Sequence, residues 1–158
     1  MQAEIKSATI SARVPTNGTR LRVLLVDDEK LMHEMLGLAL DSSEYSLLSA
    51  TNVDEAKKAI ESLHPPDIVI TDAMMPGDSG FSLITSIKAN PATADIPVIL
   101  WTVLEQLNGA VMDASGKADM TMSKPLDLPN LRECLTRARR LMKLNPAVAA
   151  SSRFPTLG

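Results

Sequence analysis

Five polar residues that could do chemistry together stand at the ends of short apolar runs. Asp27 and Asp28 directly follow the run LRVLLV, and Asp72 follows DIVIT; Thr102 and Lys124 stand at or just past the ends of two later runs. If these runs are parallel strands, their carboxyl ends lie at one edge of the sheet, where open α/β sheets bind ligands. The sequence therefore predicts one polar site, built from residues far apart in the chain.

The residue types indicate phosphate chemistry at a metal ion. Carboxylates that lie close together repel one another and favour a bound cation. Oxygen ligands, with room for water and a phosphate, suit Mg²⁺ better than Ca²⁺. An aspartate can also be the nucleophile that forms an aspartyl phosphate. Lys124 offers a compact positive charge, and Thr102 offers a hydroxyl donor. The sequence contains no evident base at this site that would activate water.

Short apolar runs bounded by polar or turn residues predict five strands. They cover residues 21–26, 46–50, 67–71, 97–101 and 118–122. A helical pattern follows each run, which predicts an α/β fold with a five-stranded parallel sheet, doubly wound, and five helices on its two faces. Right-handed crossovers leave few topologies for such a chain.

The five helices are predicted from spacing and from start and stop residues. Leu31, Met35 and Leu38 define the first, and Asn52 begins a second that ends near Leu63. The third and fourth cover about 79–89 and 104–114. The fifth follows Asp127 and carries an apolar stripe made of Leu131, Cys134, Leu135, Ala138, Leu141 and Met142.

Composition limits the classes of function. The net charge is −3, from 16 basic and 19 acidic residues, so there is no electrostatic argument for direct nucleic-acid binding. The single cysteine, Cys134, excludes an intrachain disulfide, and no apolar run approaches the ~20 residues that span a bilayer. We expect a soluble cytoplasmic protein without a membrane partner. His33 and His64 fit no metal-ligand spacing, and we interpret them as solvent or packing residues.

Two segments flank the predicted domain. Residues 1–20 are interpreted as a flexible leader, and residues 145–158 as a disordered tail. Residues 7–14 alternate apolar and polar side chains, so an added edge strand or a swapped arm in a homodimer is the alternative. Residues 21–144 are the predicted domain.

Taken together, these residues and their spacing resemble the receiver domain of two-component response regulators. The matching segments are LLVDDE with Asp27 and Asp28, DIVITDAMMPGDSG with Asp72, PVILWT with Thr102, and SKP with Lys124. Thirty positions separate Asp72 from Thr102, and twenty-two separate Thr102 from Lys124, close to the family's spacing. The resemblance implies a flavodoxin-like sheet of order 2-1-3-4-5.

The resemblance also implies the role of each site residue. Asp72 would accept the phosphoryl group. Asp28, Asp72 and the backbone carbonyl of Met74 would bind Mg²⁺ directly, with Asp27 acting through water. Thr102 would turn toward the phosphate, and Lys124 would pair with it. The family usually has a cis peptide bond between this lysine and the following proline.

Three positions depart from the family pattern. Thr121 stands where an aromatic residue is common, Val103 follows the switch threonine in place of Ala or Gly, and Leu126 replaces a frequent aromatic residue after the Lys-Pro pair. These departures predict an altered output surface and an altered coupling between Thr102 and that surface.

The implied function is a stand-alone signalling switch and not a turnover enzyme. A sensor histidine kinase or phosphotransfer protein would donate phosphate to Asp72, and an unknown downstream protein would bind the altered surface. A haloacid-dehalogenase-type phosphohydrolase is the competing enzyme class, although Asp27-Asp28-Glu29 lacks that family's Asp-x-Asp motif. The sequence is also compatible with a binding module that works without phosphorylation and with a receiver fragment of a larger hybrid protein.

Overall fold

A computed structural model describes residues 20–77, 79–103 and 118–144. The strands are β1 (Leu21–Val26), β2 (Tyr45–Ala50), β3 (Ile68–Thr71), β4 (Val98–Val103) and β5 (Met120–Lys124). The helices are α1 (Lys30–Ala39), α2 (Val53–Ile60), α3 (Gly80–Ala89) and α4 (Leu128–Leu144), the last being the fifth helix of the prediction. The predicted helix at 104–114, residues 1–19 of the leader and the tail at 145–158 lie outside the described residues.

All five strands are parallel, in the order β2-β1-β3-β4-β5. This confirms the predicted doubly wound fold and its strand order. Strand β1 lies between β2 and β3, so the order of the sheet reverses beside its carboxyl end. In the register, Val26 of β1 pairs with Thr71 of β3. The residues that follow these two strands, Asp27 and Asp72, therefore emerge side by side.

Both faces of the sheet are covered, which explains why the strands are almost continuously apolar. From β1, Leu21, Val23 and Leu25 pack into one core with Leu36 of α1 and Leu131 of α4. Residues of the other face belong to a second core with α2 and α3. Since β1 and β3 each contribute residues to both cores, packing on two sides fixes the carboxyl ends from which Asp27 and Asp72 emerge.

The second helix begins where the sequence predicts, with Asn52 as its N-cap residue. The Oδ1 atom of Asn52 accepts a hydrogen bond from the Glu55 amide at 2.8 Å, and Glu55 Oε1 accepts from the Thr51 amide at 2.7 Å. The first bond satisfies an amide group that the first helical turn leaves free, and the second fixes the residue before the N-cap. Helix α2 then ends at Ile60, before the predicted limit at Leu63. None of the described helices is long and apolar enough to span a bilayer.

The predicted apolar face of the first helix was wrong. Leu31 and Leu38 are 59% and 89% exposed, whereas Leu36 is buried and Met32 packs against the core. Apolar residues occur on more than one side of this helix, so the spacing fits two different faces. The sheet selects the one that α1 buries. In α4 the predicted stripe is buried except for Leu141, which is 40% exposed.

The last two strands end later than predicted. Strand β4 continues to Val103, and β5 begins at Met120 and reaches Lys124. The two ladders pair Thr102 with Ser123 and Val103 with Lys124. Parallel pairing thus extends both strands through polar residues that the apolar pattern had left outside, and it places Thr102 and Lys124 within the sheet.

Candidate functional site

The three predicted aspartates form one acidic cluster. A carboxylate oxygen from each of Asp27, Asp28 and Asp72 lies within 4.8 Å of the others. Asp27 and Asp72 are buried and Asp28 is exposed. The Asp72 amide donates to the Val26 carbonyl at 2.9 Å, so strand pairing continues into the cluster. The neighbouring ends of β1 and β3 therefore position the carboxylates.

Asp27 and Asp28 are not side-chain caps of α1. The N-cap residue of that helix is Glu29, and its side chain makes no capping hydrogen bond. The Asp27 Oδ1 atom accepts from the Glu29 amide at 2.9 Å, within the loop before the helix. Capping of the first helix therefore does not explain why two aspartates stand at these positions.

Lys124 brings one positive charge to the carboxylates. Its Nζ atom lies 2.8 Å from Asp27 Oδ2, 3.6 Å from Glu29 Oε1 and 3.7 Å from Asp72 Oδ2. It also lies 5.5 Å from the centre of the buried Trp101 ring, a distance typical of a cation–π contact. Burial acts to lower the pKa of Lys124, but the hydrogen bond to Asp27 and the nearby carboxylates outweigh it and raise that pKa. The group is therefore an ammonium ion.

The environment of Asp72 disfavours its negative charge. Burial raises the pKa of Asp72; the charge of Lys124 opposes that change, and the charge of Asp27 adds to it. The amides of Ala73, at 2.8 Å, and Met74 donate to the carboxylate and act in the lowering direction, but the net pKa remains raised. The protein alone therefore compensates the negative charge of Asp72 incompletely, and a bound cation would compensate the remainder.

Two glycines explain the loop that follows Asp72. Gly77 has a φ of +86°, a conformation that other residues adopt only with strain. A Cβ on Gly80 would lie 1.9 Å from the carbonyl oxygen of Asp72, which no side chain could tolerate. The chain thus turns back on Asp72 itself, and the amide of Gly80 donates to the carbonyl of Ala73 at 3.0 Å.

The remaining predicted residues lie around the cluster. Thr102 is fully buried near the carboxyl end of β4. Met74 follows Asp72 by two residues, and its side chain is 53% exposed at the rim. The Lys124-Pro125 peptide bond is cis, as expected from the resemblance.

The donor set fits Mg²⁺. Asp27, Asp28, Glu29 and Asp72 bring four carboxylates to the surroundings of the Lys124 ammonium, so negative charge is in excess. The cluster offers oxygen ligands only, and Asp28 is open to solvent. A hard cation that keeps several water ligands matches these properties.

Sequence reasoning missed three residues near the site. Glu29 approaches Lys124, Trp101 lies beside the ammonium, and the ring of His33 contacts the backbone carbonyl of Asp27 at 2.7 Å. From the sequence, His33 is interpreted as a solvent or packing residue, and the structure adds its contact with the loop that carries Asp27. Its position six residues after Asp27, at the start of an amphipathic helix, was the available signal.

Comparison with known proteins identifies the class. The family model of the response regulator receiver domain matches residues 23–136, and the chain belongs to this family. This finding favours the receiver interpretation over the phosphohydrolase. It also makes the chain part of the class of two-component signalling proteins.

Individual relatives agree with this assignment. The phosphate regulon transcriptional regulatory protein PhoB of Pseudomonas aeruginosa is 31% identical over 121 residues, 77% of this chain and 51% of that protein. The chain thus spans about half the length of the curated relative that it matches.

Solved structures give the same result. The response regulator TrrA of Thermotoga maritima, crystallised with Mg²⁺ and BeF, superposes with a TM-score of 0.65 at 30% identity, over 75% of this chain and 98% of that one. The receiver domain of a histidine kinase from Syntrophus aciditrophicus gives 0.69 at 29% identity, over 78% and 93%.

Proposed function

We propose that Asp72 accepts a phosphoryl group from a sensor histidine kinase or a phosphotransfer protein, in a reaction that requires Mg²⁺. The observation that carries this proposal is the meeting of three carboxylates within 4.8 Å, with the Lys124 ammonium beside them. A nucleophile, a set of cation ligands and a fixed positive charge occur together at the carboxyl ends of the parallel strands. That combination is what phosphoryl transfer to a carboxylate needs.

Each residue has a role in the proposed step. An Asp72 carboxylate oxygen forms the new P–O bond, while the P–N bond of the donor phosphohistidine breaks and its electron pair returns to the imidazole. Asp28, Asp72 and the Met74 carbonyl would hold the Mg²⁺, with Asp27 acting through water. When bound, the ion would neutralise charge on the phosphoryl oxygens.

Lys124 and Thr102 would bind the product. The ammonium of Lys124 would leave Asp27 for a phosphoryl oxygen, and the Thr102 hydroxyl would turn to donate to another. A rearrangement of this kind shifts a two-state equilibrium, and its output is the binding of a different protein. We propose protein–protein contacts as that output and the cytoplasm, where a kinase has access to ATP, as its location.

The proposal is tested with acetyl phosphate as a small-molecule donor. The chain is incubated with Mg²⁺ and the donor, and its intact mass is recorded. We expect one added phosphoryl group in the wild type, and none in Asp72→Asn or after chelation of Mg²⁺. Asp41→Asn is the matched control, because Asp41 is an exposed aspartate in the loop before β2. Equal labelling of Asp72→Asn and the wild type would exclude Asp72 as the acceptor.

A second function is favoured by one observation on β5. Thr121 is exposed at the position where the family often has an aromatic residue, so the usual partner of the switch threonine is missing. The chain would then bind its partner without phosphorylation. Absence of labelling, together with unchanged Trp101 fluorescence on addition of beryllofluoride, would support this binding module over the switch.

A further inference from the structure

His33 links the outer strand β2 to the loop that carries Asp27 and Asp28. Its Nε2 atom lies 2.7 Å from the carbonyl oxygen of Asp27, and its Nδ1 atom lies 2.9 Å from Ser49 Oγ. A carbonyl oxygen can only accept, so Nε2 carries the proton and donates. In the neutral ring, Nδ1 then accepts a hydrogen bond from the Ser49 hydroxyl. The Asp27 carbonyl therefore selects the tautomer, and the Ser49 hydroxyl, which can donate, is compatible with it.

Each polar group of Asp27 makes a hydrogen bond. Its amide donates to the Ala50 carbonyl at 3.1 Å, and its two carboxylate oxygens accept from the Glu29 amide and from Lys124. His33 supplies the contact to the remaining group, the backbone carbonyl. This contact can be changed by mutation without altering a carboxylate.

The carbonyl that His33 contacts belongs to the peptide group between Asp27 and Asp28. That peptide group is planar, so a hydrogen bond to its oxygen restricts the rotation of the whole plane. The plane sets the direction in which the chain continues to Asp28. Asp28 is exposed, so it lacks the burial that orients Asp27 and Asp72, yet its carboxylate must reach the cluster.

We propose that His33 is a positioning residue for the acidic cluster. Its hydrogen bond orients the Asp27–Asp28 peptide, points Asp28 toward the other carboxylates and so increases the affinity of the site for Mg²⁺. The inference rests on the proposed function, because it assigns His33 a role in the binding of the ion that phosphoryl transfer requires. Groups that orient metal ligands through hydrogen bonds commonly contribute to metal affinity.

Calorimetric titration with Mg²⁺ tests the role of His33. We expect His33→Ala to weaken Mg²⁺ binding about fivefold, as expected for one neutral hydrogen bond of roughly 1 kcal/mol. His33→Gln should restore most of the affinity, because its amide nitrogen can donate from a position close to that of Nε2. His64→Ala is the matched control and should bind as the wild type does, since His64 lies in the loop before β3 at the opposite end of the sheet.

A second readout separates positioning from general destabilisation. ¹⁵N NMR of the neutral ring should show the Nε2–H tautomer of His33, and urea unfolding should show that His33→Ala and His33→Gln are equally stable. Equal Mg²⁺ affinity in the wild type and His33→Ala, or an Nδ1–H tautomer, would overturn the inference and leave the proposed function intact. Absence of Mg²⁺ binding by the wild type would overturn both.

Discussion

The two ends of the sheet each contain a half-buried lysine paired with an aspartate, but only one pair is satisfied. At the amino ends of β4 and β5, Lys88 Nζ donates to Asp119 Oδ2 at 2.8 Å and to the carbonyls of Ala94 and Ile96. Asp119 Oδ2 also accepts from the amide of Val98 at 2.7 Å. Each N–H of that ammonium has an acceptor within hydrogen-bond distance, so the pair is complete without a ligand.

At the carboxyl end, Lys124 makes one short contact with the residues that the structure describes, and four carboxylates lie around it. Asp27 lies at 2.8 Å, while Asp72 and Glu29 remain beyond 3.5 Å, and Asp28 adds a further negative charge. The same pair of residue types is complete where its charges and hydrogen bonds balance, and leaves negative charge uncompensated where they do not. The imbalance, and not the presence of a lysine–aspartate pair, distinguishes the site.

The largest effects should come from removing each ammonium. Lys88→Met and Lys124→Met should each reduce the free energy of unfolding by about 2–3 kcal/mol, because each removes the positive charge that compensates a carboxylate that is buried or only partly exposed to solvent. Added Mg²⁺ should narrow the stability difference between Lys124→Met and the wild type, and it should leave the difference between Lys88→Met and the wild type unchanged. Urea denaturation with and without Mg²⁺ measures both.

These two variants test directly whether the two lysine–aspartate pairs differ in their response to Mg²⁺. If Mg²⁺ narrowed the stability difference between Lys88→Met and the wild type, the ion would act on the Lys88 pair as well as on the acidic cluster. Failure of Mg²⁺ to recover Lys124→Met would mean that the cluster does not use the ion to balance its charge.

A smaller effect is expected from Mg²⁺ on the wild type. A ligand that binds only the folded state at ten times its dissociation constant stabilises that state by about 1.4 kcal/mol. The same increment should appear in Lys88→Met, whose cluster is intact, and should be much reduced in Asp28→Asn. Thermal unfolding at matched ionic strength, with Na⁺ in place of Mg²⁺, controls for screening by salt. An equal increment in Asp28→Asn would argue against Asp28 as a ligand.

The smallest effect concerns pH in the absence of Mg²⁺. The pKa of Asp72 is raised above its ordinary value of 3.8, so the folded state binds this proton more tightly than the unfolded state does. Asp72 therefore contributes stability below pH 3.8 that is lost as the pH rises through the raised pKa. Above that pKa, Asp72→Asn should be more stable than the wild type, and the difference should vanish toward low pH. A difference independent of pH would show that charge is not its cause.

Strand pattern and helix starts could be read from the sequence to a large extent. Leu21–Val26 is β1 as predicted, because a fully buried strand needs an apolar run with clear polar limits. Asn52 caps α2 as predicted, since capping is a local interaction between residues three positions apart. The fold class and strand order follow from the regular alternation of strands and helices together with the family resemblance.

The rotation of α1 and the limits of β4 and β5 could not be read in the same way. Leu31, Met35 and Leu38 fit helical spacing, yet the sheet buries Leu36. Thr102 and Lys124 are polar, yet pairing between β4 and β5 includes both. These properties depend on contacts between helices and strands, and the residue pattern within one segment does not contain that information.

The sequence by itself determined which residues could do chemistry, because their types and spacing follow from the ends of five apolar runs. Only the tertiary structure decided how their charges balance. The packing of β1 against β3 brings Asp27 and Asp72 together in a buried place, and β5 delivers a single ammonium to them. The approach of His33 to the Asp27 carbonyl likewise depends on how α1 lies against β2. Electrostatic imbalance and peptide orientation are properties of distances across the fold, and no local pattern encodes them.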